Sequence, residues 1–136
     1  MSQHLGALTL LVADYDQAIH FFTQGLGFAL LEDTRLDEPG KPGKRWVRVA
    51  PKGAPGSALL LAQAANAQQQ AAIGQQGGGR VFLFLETDDF WGDYQRMQAY
   101  GVYFCEQPRH EPYGTVVVFE DISGNRWDLL QRIAAN

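Results

Sequence analysis

The 136-residue chain has little of what most ready-made chemistry requires. It has one cysteine, Cys105, which excludes an intrachain disulfide framework and a multi-thiolate metal site. Its only imidazoles are His4, His20 and His110. Basic stretches are missing too: 11 Lys and Arg stand against 15 Asp and Glu, for a net charge of −4. Nucleic-acid and anionic-membrane partners both need clustered positive charge, so neither is expected. No apolar run approaches the roughly 20 residues that cross a bilayer. Met1 to His4 do not read as a signal peptide, and a cytoplasmic location is expected. Between Gly53 and Gly79 there is no charged residue at all.

What is present is a doubled pattern. With 46% hydrophobic and 19% charged residues the chain is ordinary globular material, and its length suits one domain, 1–136. Leu8 to Val12 is a short apolar run. After it, Ala18, Ile19, Phe22 and Leu26 fall at helical spacing, with Gly27 as the stop. Phe28 to Leu31 opens another apolar run. The second half replays this order: Val81 to Leu85, a capping Asp88 or Asp89, a stripe of Phe90, Tyr94 and Met97, then Gly101. The spacing from Asp14 to Gly27 equals that from Asp88 to Gly101, which supports two copies of one unit.

Each copy continues with strand-like segments. They are Arg45 to Ala50 and Ala58 to Gln63 in the first, and Val102 to Glu106, Thr115 to Glu120 and Arg126 to Leu130 in the second. Composition marks turns over 51–56 and at Ser123-Gly124-Asn125, and a loop from Asp37 to Lys44. Each half therefore reads strand, helix, three strands. Module one spans about 5–63, a linker 64–79 and module two about 80–132, with a helical turn available to Gln68 to Ile73.

Strand alternation says what each face meets. Val47 and Val49 share one side of their strand, while Trp46 and Arg48 share the other; an arginine is costly under a packed helix, so the valines are assigned to the helix layer. Arg126 and Asp128 oppose Trp127 and Leu129 in the same way. Val81 to Leu85 is apolar on both faces and is expected to be covered on both. The picture is an α+β protein with helices outside and a partly polar concavity inside.

The order of these elements, with Val12-Ala13-Asp14, Leu26-Gly27-Phe28 and Asp121-Ile122-Ser123-Gly124-Asn125, resembles the vicinal oxygen chelate superfamily. That group includes glyoxalase I, bleomycin- and fosfomycin-resistance proteins and ring-cleaving dioxygenases, and the likeness runs from about Leu5 to Gln131. The resemblance implies paired βαβββ modules, a U-shaped, barrel-like sheet around a pocket, and homodimerisation. It also implies four metal-ligand positions, which fall here on Ala7, Phe82, the end of module one's last strand (nearest candidate Gln63) and Asp128. Divalent cations need three or four placed donors, so no cofactor is expected, although a divalent metal held by other residues is not excluded.

The expected ligand-binding wall is Thr9, Trp46, Arg48, Leu60, Phe82, Phe84 and Asp128, with Leu11 among them and Arg80 near the rim. His110 and Tyr113 are placed on a loop above it. Large rings and a few charges suit a small, partly aromatic organic molecule. Arg48 can hold a carboxylate or phenolate and Asp128 an amine or hydroxyl, unless Asp128 is simply neutralised by Arg48 or Arg126. Three functions stay open: sequestration of a small molecule, an enzyme (a lyase, dioxygenase or isomerase, with substituted ligands or with Asp128 or Glu120 as general base), and a closed scaffold for protein association. Cys105 reads as a packed core thiol. Gly77-Gly78-Gly79 precede a strand, whereas a phosphate loop follows one and opens a helix.

Overall fold

A computed structural model describes residues 1–53 and 56–134, so the turn expected over 51–56 lies partly outside the described residues. The chain divides into two compact units, Met1–Ile73 and Gly74–Asn136. The first contains β1 (Ala7–Val12), α1 (Tyr15–His20), β2 (Ala29–Arg35), β3 (Arg45–Ala50), β4 (Ala58–Gln63) and α2 (Ala67–Ala72). Its sheet has the order β1-β4-β3-β2, with β1 parallel to β4 and the other pairs antiparallel. The second contains β5 (Val81–Glu86), α3 (Phe90–Tyr100), β6 (Tyr103–Phe104), β7 (Arg109–Glu111), β8 (Gly114–Glu120) and β9 (Arg126–Arg132). Its order, β5-β9-β8-β6 with β7 also on β8, repeats the first unit's plan, including the parallel pair β5–β9. This is the α+β arrangement of paired βαβββ modules.

Both main helices start the same way. Asp14 accepts from Gln17 N at 2.8 Å and Asp89 from Gly92 N at 3.2 Å, each satisfying an amide that the first turn leaves open. The cap is thus Asp89 rather than Asp88, and the first helix is one residue longer from cap to glycine stop than the second. A π-helical turn, Phe21–Gly25, absorbs the extra residue: Leu26 N reaches back to Phe21 O at 3.1 Å, a five-residue step.

The alternation expected of the strands is what forms. Leu10, Val12, Val47, Val49, Leu59 and Leu61 are buried on the side where α1 packs. In the second unit Val117, Phe119, Trp127 and Leu129 are buried on the side where Phe90 and Met97 of α3 lie, with Trp127 stacked 5.7 Å from Phe119. At about 1.5–3 kcal/mol per fully buried large apolar side chain, a one-residue slip of any of these strands is prohibitive.

Four expectations are corrected. The strand over Val102 to Glu106 shrinks to Tyr103–Phe104, because Glu106 Oε2 takes the Val118 amide at 3.0 Å where a backbone carbonyl would have continued the ladder. Residues 109–111, read as loop, are strand β7. Cys105 is exposed, with Sγ 3.8 Å from Glu120 Oε2, so it is not a core thiol. Phe84 is 62% exposed, so β5 is not covered on both faces.

Candidate functional site

Each sheet has one face that its helix does not cover. On the first, the register aligns Thr9, Leu60, Arg48 and Glu32 in a single row across β1, β4, β3 and β2. Trp46 stands beside this row, 38% exposed. One carboxylate oxygen organises the pair: Glu32 Oε1 accepts from Trp46 Nε1 at 3.1 Å and from Arg48 Nε at 3.0 Å. A half-exposed ion pair is worth less than about 1 kcal/mol, so its main effect is to fix the direction of an indole and a guanidinium. The alternation of strand residues could not reveal Glu32, because β2 is an edge strand whose charged run Glu32-Asp33 carries no apolar period. Only the register identifies its cross-strand partners.

On the second sheet Phe84, Asp128 and Val118 form the corresponding row. Asp128 is half-buried, and its Oδ1 is buried with no hydrogen-bond partner. Burial pushes its carboxyl above the ordinary aspartate range; the Arg109 charge pulls it back, and Glu106 raises it again. Arg109 is itself held by two other carboxylates, with Nε 3.0 Å from both Glu106 oxygens and Nη1 2.6 Å from Glu111 Oε1. Arg48 belongs to Glu32. Among the described residues Asp128 forms no ion pair with Arg126, and its Oδ1 keeps an unused acceptor position.

Of the loop residues, Tyr113 follows β7, exposed and beside the Arg109 guanidinium. His110 alternates away from Arg109 and Glu111. Its Nδ1 lies 3.2 Å from Thr115 Oγ1 and its ring 6.4 Å from that of Trp91, on the α3 side of the sheet. It does not share the uncovered face, which is the correction that β7's strand geometry imposes. Phe82 is half-buried at the start of β5.

The donor set does not fit a divalent cation. Ala7 and Phe82 offer no ligating atom. Gln63 Oε1 is taken by Tyr15 N at 3.3 Å, as Gln131 Oε1 is taken by Phe90 N at 2.9 Å. That matched pair sets the repeat: Gln63 answers to Gln131, so Leu60 answers to Asp128. Of the four positions only Asp128 carries a free oxygen, and three or four placed donors are needed. Among the described residues no three His, Cys, Asp or Glu side chains are grouped to hold a metal ion.

The motif Asp121 to Asn125 is structural. Buried Asp121 Oδ1 accepts from Ser123 N at 2.9 Å and Asn125 N at 3.0 Å, and Oδ2 from Asn125 Nδ2 at 3.1 Å and Trp127 Nε1 at 2.9 Å. One carboxylate thus builds the turn that leads into β9.

Among known proteins, the model of the Glyoxalase/Bleomycin resistance protein/Dioxygenase superfamily matches residues 4–129. An uncharacterised protein of Shewanella frigidimarina (strain NCIMB 400) is 53% identical over 96% of this chain and 95% of its own. Among solved structures, UcmS2 is 29% identical with a TM-score of 0.79, covering 96% of this chain and 98% of its own. TnmS3, described as an antibiotic binding protein from Streptomyces sp. CB03234, is 32% identical with a TM-score of 0.73, covering 97% and 98%.

Proposed function

Since this chain belongs to the Glyoxalase/Bleomycin resistance protein/Dioxygenase superfamily, we propose that it binds a small, partly aromatic organic molecule on a sheet face that the helix of its unit does not cover, without a metal centre, and sequesters it. The observation that carries this reading is Asp128. A buried carboxyl oxygen without a partner costs stability until a donor arrives, and a ligand hydroxyl or amine restores about 1–3 kcal/mol by supplying one. Phe84 presents an exposed ring in the same row as Asp128. On the first sheet Trp46 offers a pre-set aromatic surface, and Arg48 has donors beyond the one given to Glu32. Preorganised rings and few charges favour flat organic ligands, and the likeness to an antibiotic binding protein points the same way.

A thermal-shift screen of aromatic amines, glycopeptide-type drugs and aromatic acids tests the reading. A true ligand at 100 times its dissociation constant stabilises by about 2.7 kcal/mol, and Asp128→Asn diminishes the response. A screen in which nothing raises the melting temperature overturns it, as does a stoichiometric divalent ion in elemental analysis of purified protein.

The raised Asp128 carboxyl favours one second reading, a metal-free isomerase with Asp128 as general base. Turnover of a bound compound that Asp128→Asn abolishes, with binding retained, selects it. The chain also forms a homodimer in this reading, because β1 and β5 each end a sheet with one edge unpaired among the described residues. A sedimentation profile of monomer alone at micromolar concentration counts against that part.

A further inference from the structure

The second unit holds a cleft of about 220 Å³ whose wall includes Arg80, Glu120, Asn125 and Arg126, backed by Gly74 and Gly77. We propose that this cleft binds a small organic anion that also carries a hydrogen-bond donor, of the dicarboxylic amino-acid type.

The walls are fixed before any ligand arrives. Gly74 has φ +75°, and a Cβ there would run into the Ser123 carbonyl oxygen. A Cβ at Gly77 would lie 2.9 Å from that of Phe82. The glycine loop is thus pressed against the Asp121–Asn125 turn and the start of β5. The loop precedes a strand, so it has no helix dipole to offer, and positive charge comes from side chains instead. Arg80 stands just before β5, and Arg126 opens β9 next to it, paired in register with Val81. Neither guanidinium has an ion pair or hydrogen bond among the described residues, although every other arginine of this unit has one. In a chain of net charge −4, two arginines without a close ion pair among the described residues stand on one small cleft against the single carboxylate of Glu120, which faces Arg126 across the β8–β9 register, and carboxylates match their forked donors.

The acceptors on the same wall define the rest of the ligand. Asn125 is 2% exposed, and its Nδ2 is committed to Asp121, which fixes the amide orientation and leaves Oδ1 buried with no partner. Glu120 adds a carboxylate whose one side-chain hydrogen-bond neighbour among the described residues is the weak Cys105 thiol. A simple anion satisfies the arginines and leaves both acceptors unanswered. A molecule with carboxylates and an ammonium answers all four groups. Arg80 and Arg126 against Glu120 leave the wall one positive charge in excess, which an amino acid with two carboxylates balances. The volume corresponds to about seven waters at their liquid share, enough for such a molecule.

Isothermal titration of the full chain with L-glutamate, and with glutarate as the same diacid lacking the amine, tests the assignment. Saturable L-glutamate binding at least about tenfold tighter than glutarate is expected. Arg80→Ala and Arg126→Ala each weaken it about tenfold while leaving the melting temperature in place, since both side chains are exposed. Equal binding of glutarate overturns the proposal, because the acceptors are then unused. So does the absence of saturable L-glutamate binding, or binding that both alanine variants leave unchanged.

Discussion

Gln63 and Gln131 do the same work in the two halves of the chain. Gln63 is the last residue of β4 and Gln131 the last but one of β9, and each side-chain oxygen receives the first amide of the helix that the neighbouring parallel strand leads into, Tyr15 N at 3.3 Å and Phe90 N at 2.9 Å. A helix start has amides with no internal partner, and a glutamine from the adjacent strand supplies one while tying helix to sheet.

Replacing Gln131 with alanine removes that acceptor, and with it the bond from Gln131 Nε2 to the Asp88 carbonyl. Chemical denaturation is expected to show a loss of about 1–2 kcal/mol for Gln131→Ala. Gln63→Ala, with the longer bond, loses less.

Asp128 makes stability depend on pH in an uncommon direction for a carboxylate. Its folded value is raised by burial, so the folded protein disfavours the charged form. Its contribution is complete below the ordinary aspartate value of about 3.9 and is lost as pH rises through the raised folded value. Asp128→Asn removes this dependence. The melting temperature of the variant is expected to gain on the wild type as pH climbs from 4 to neutrality.

Glu32 governs the first sheet's open face through one oxygen. Glu32→Ala is expected to change global stability by less than about 1 kcal/mol, because the group is half-exposed. It frees Trp46 and Arg48 to rotate, so affinity for an aromatic ligand found by screening is expected to fall about tenfold, equal to about 1.4 kcal/mol. A stability loss without an affinity loss contradicts this role.

Arg45 ties β3 to β2 and to the start of α1. Its Nε and Nη2 meet Asp33 at 3.1 and 2.7 Å, its Nη1 meets Asp16 at 2.9 Å, and it lies 5.1 Å from the Tyr15 ring centroid. Lysine lacks the fork, so Arg45→Lys is expected to cost about 1–2 kcal/mol at neutral pH in denaturant titration. The hydrogen bond from Arg45 holds the Asp33 carboxyl below its ordinary range. That stabilisation is present above the ordinary value and disappears as pH falls through the lowered one, so the gap between wild type and variant narrows in acid.

Much of this architecture is readable in the sequence, for a physical reason. Segments such as Arg45 to Ala50 and Ala58 to Gln63 carry one buried face, and burial writes a period of two into the residues. The charged half of β2 and the three-residue β7 carry no such period, because cross-strand pairs like Asp33–Arg45 and the backbone ladder to β8 stabilise them instead. The face of His110 is hidden for the same reason: one position of alternation on β7 decides it. That Asp128 lies on the face opposite Trp127 and Leu129 is legible in the alternation, but its unpartnered oxygen is not, since Arg109 is committed by Glu106 and Glu111 through contacts that spacing does not encode.

The π-helical turn at Phe21–Gly25 has a mechanical consequence. One surplus residue in an ordinary helix rotates everything downstream by about 100° and would swing the following strand out of phase. Here a single widened coil takes up the slack on the spot. Both copies of the motif therefore keep the same order of their four principal strands despite unequal helix lengths, and shortening that coil by one residue is the simplest edit that would make the two helices match.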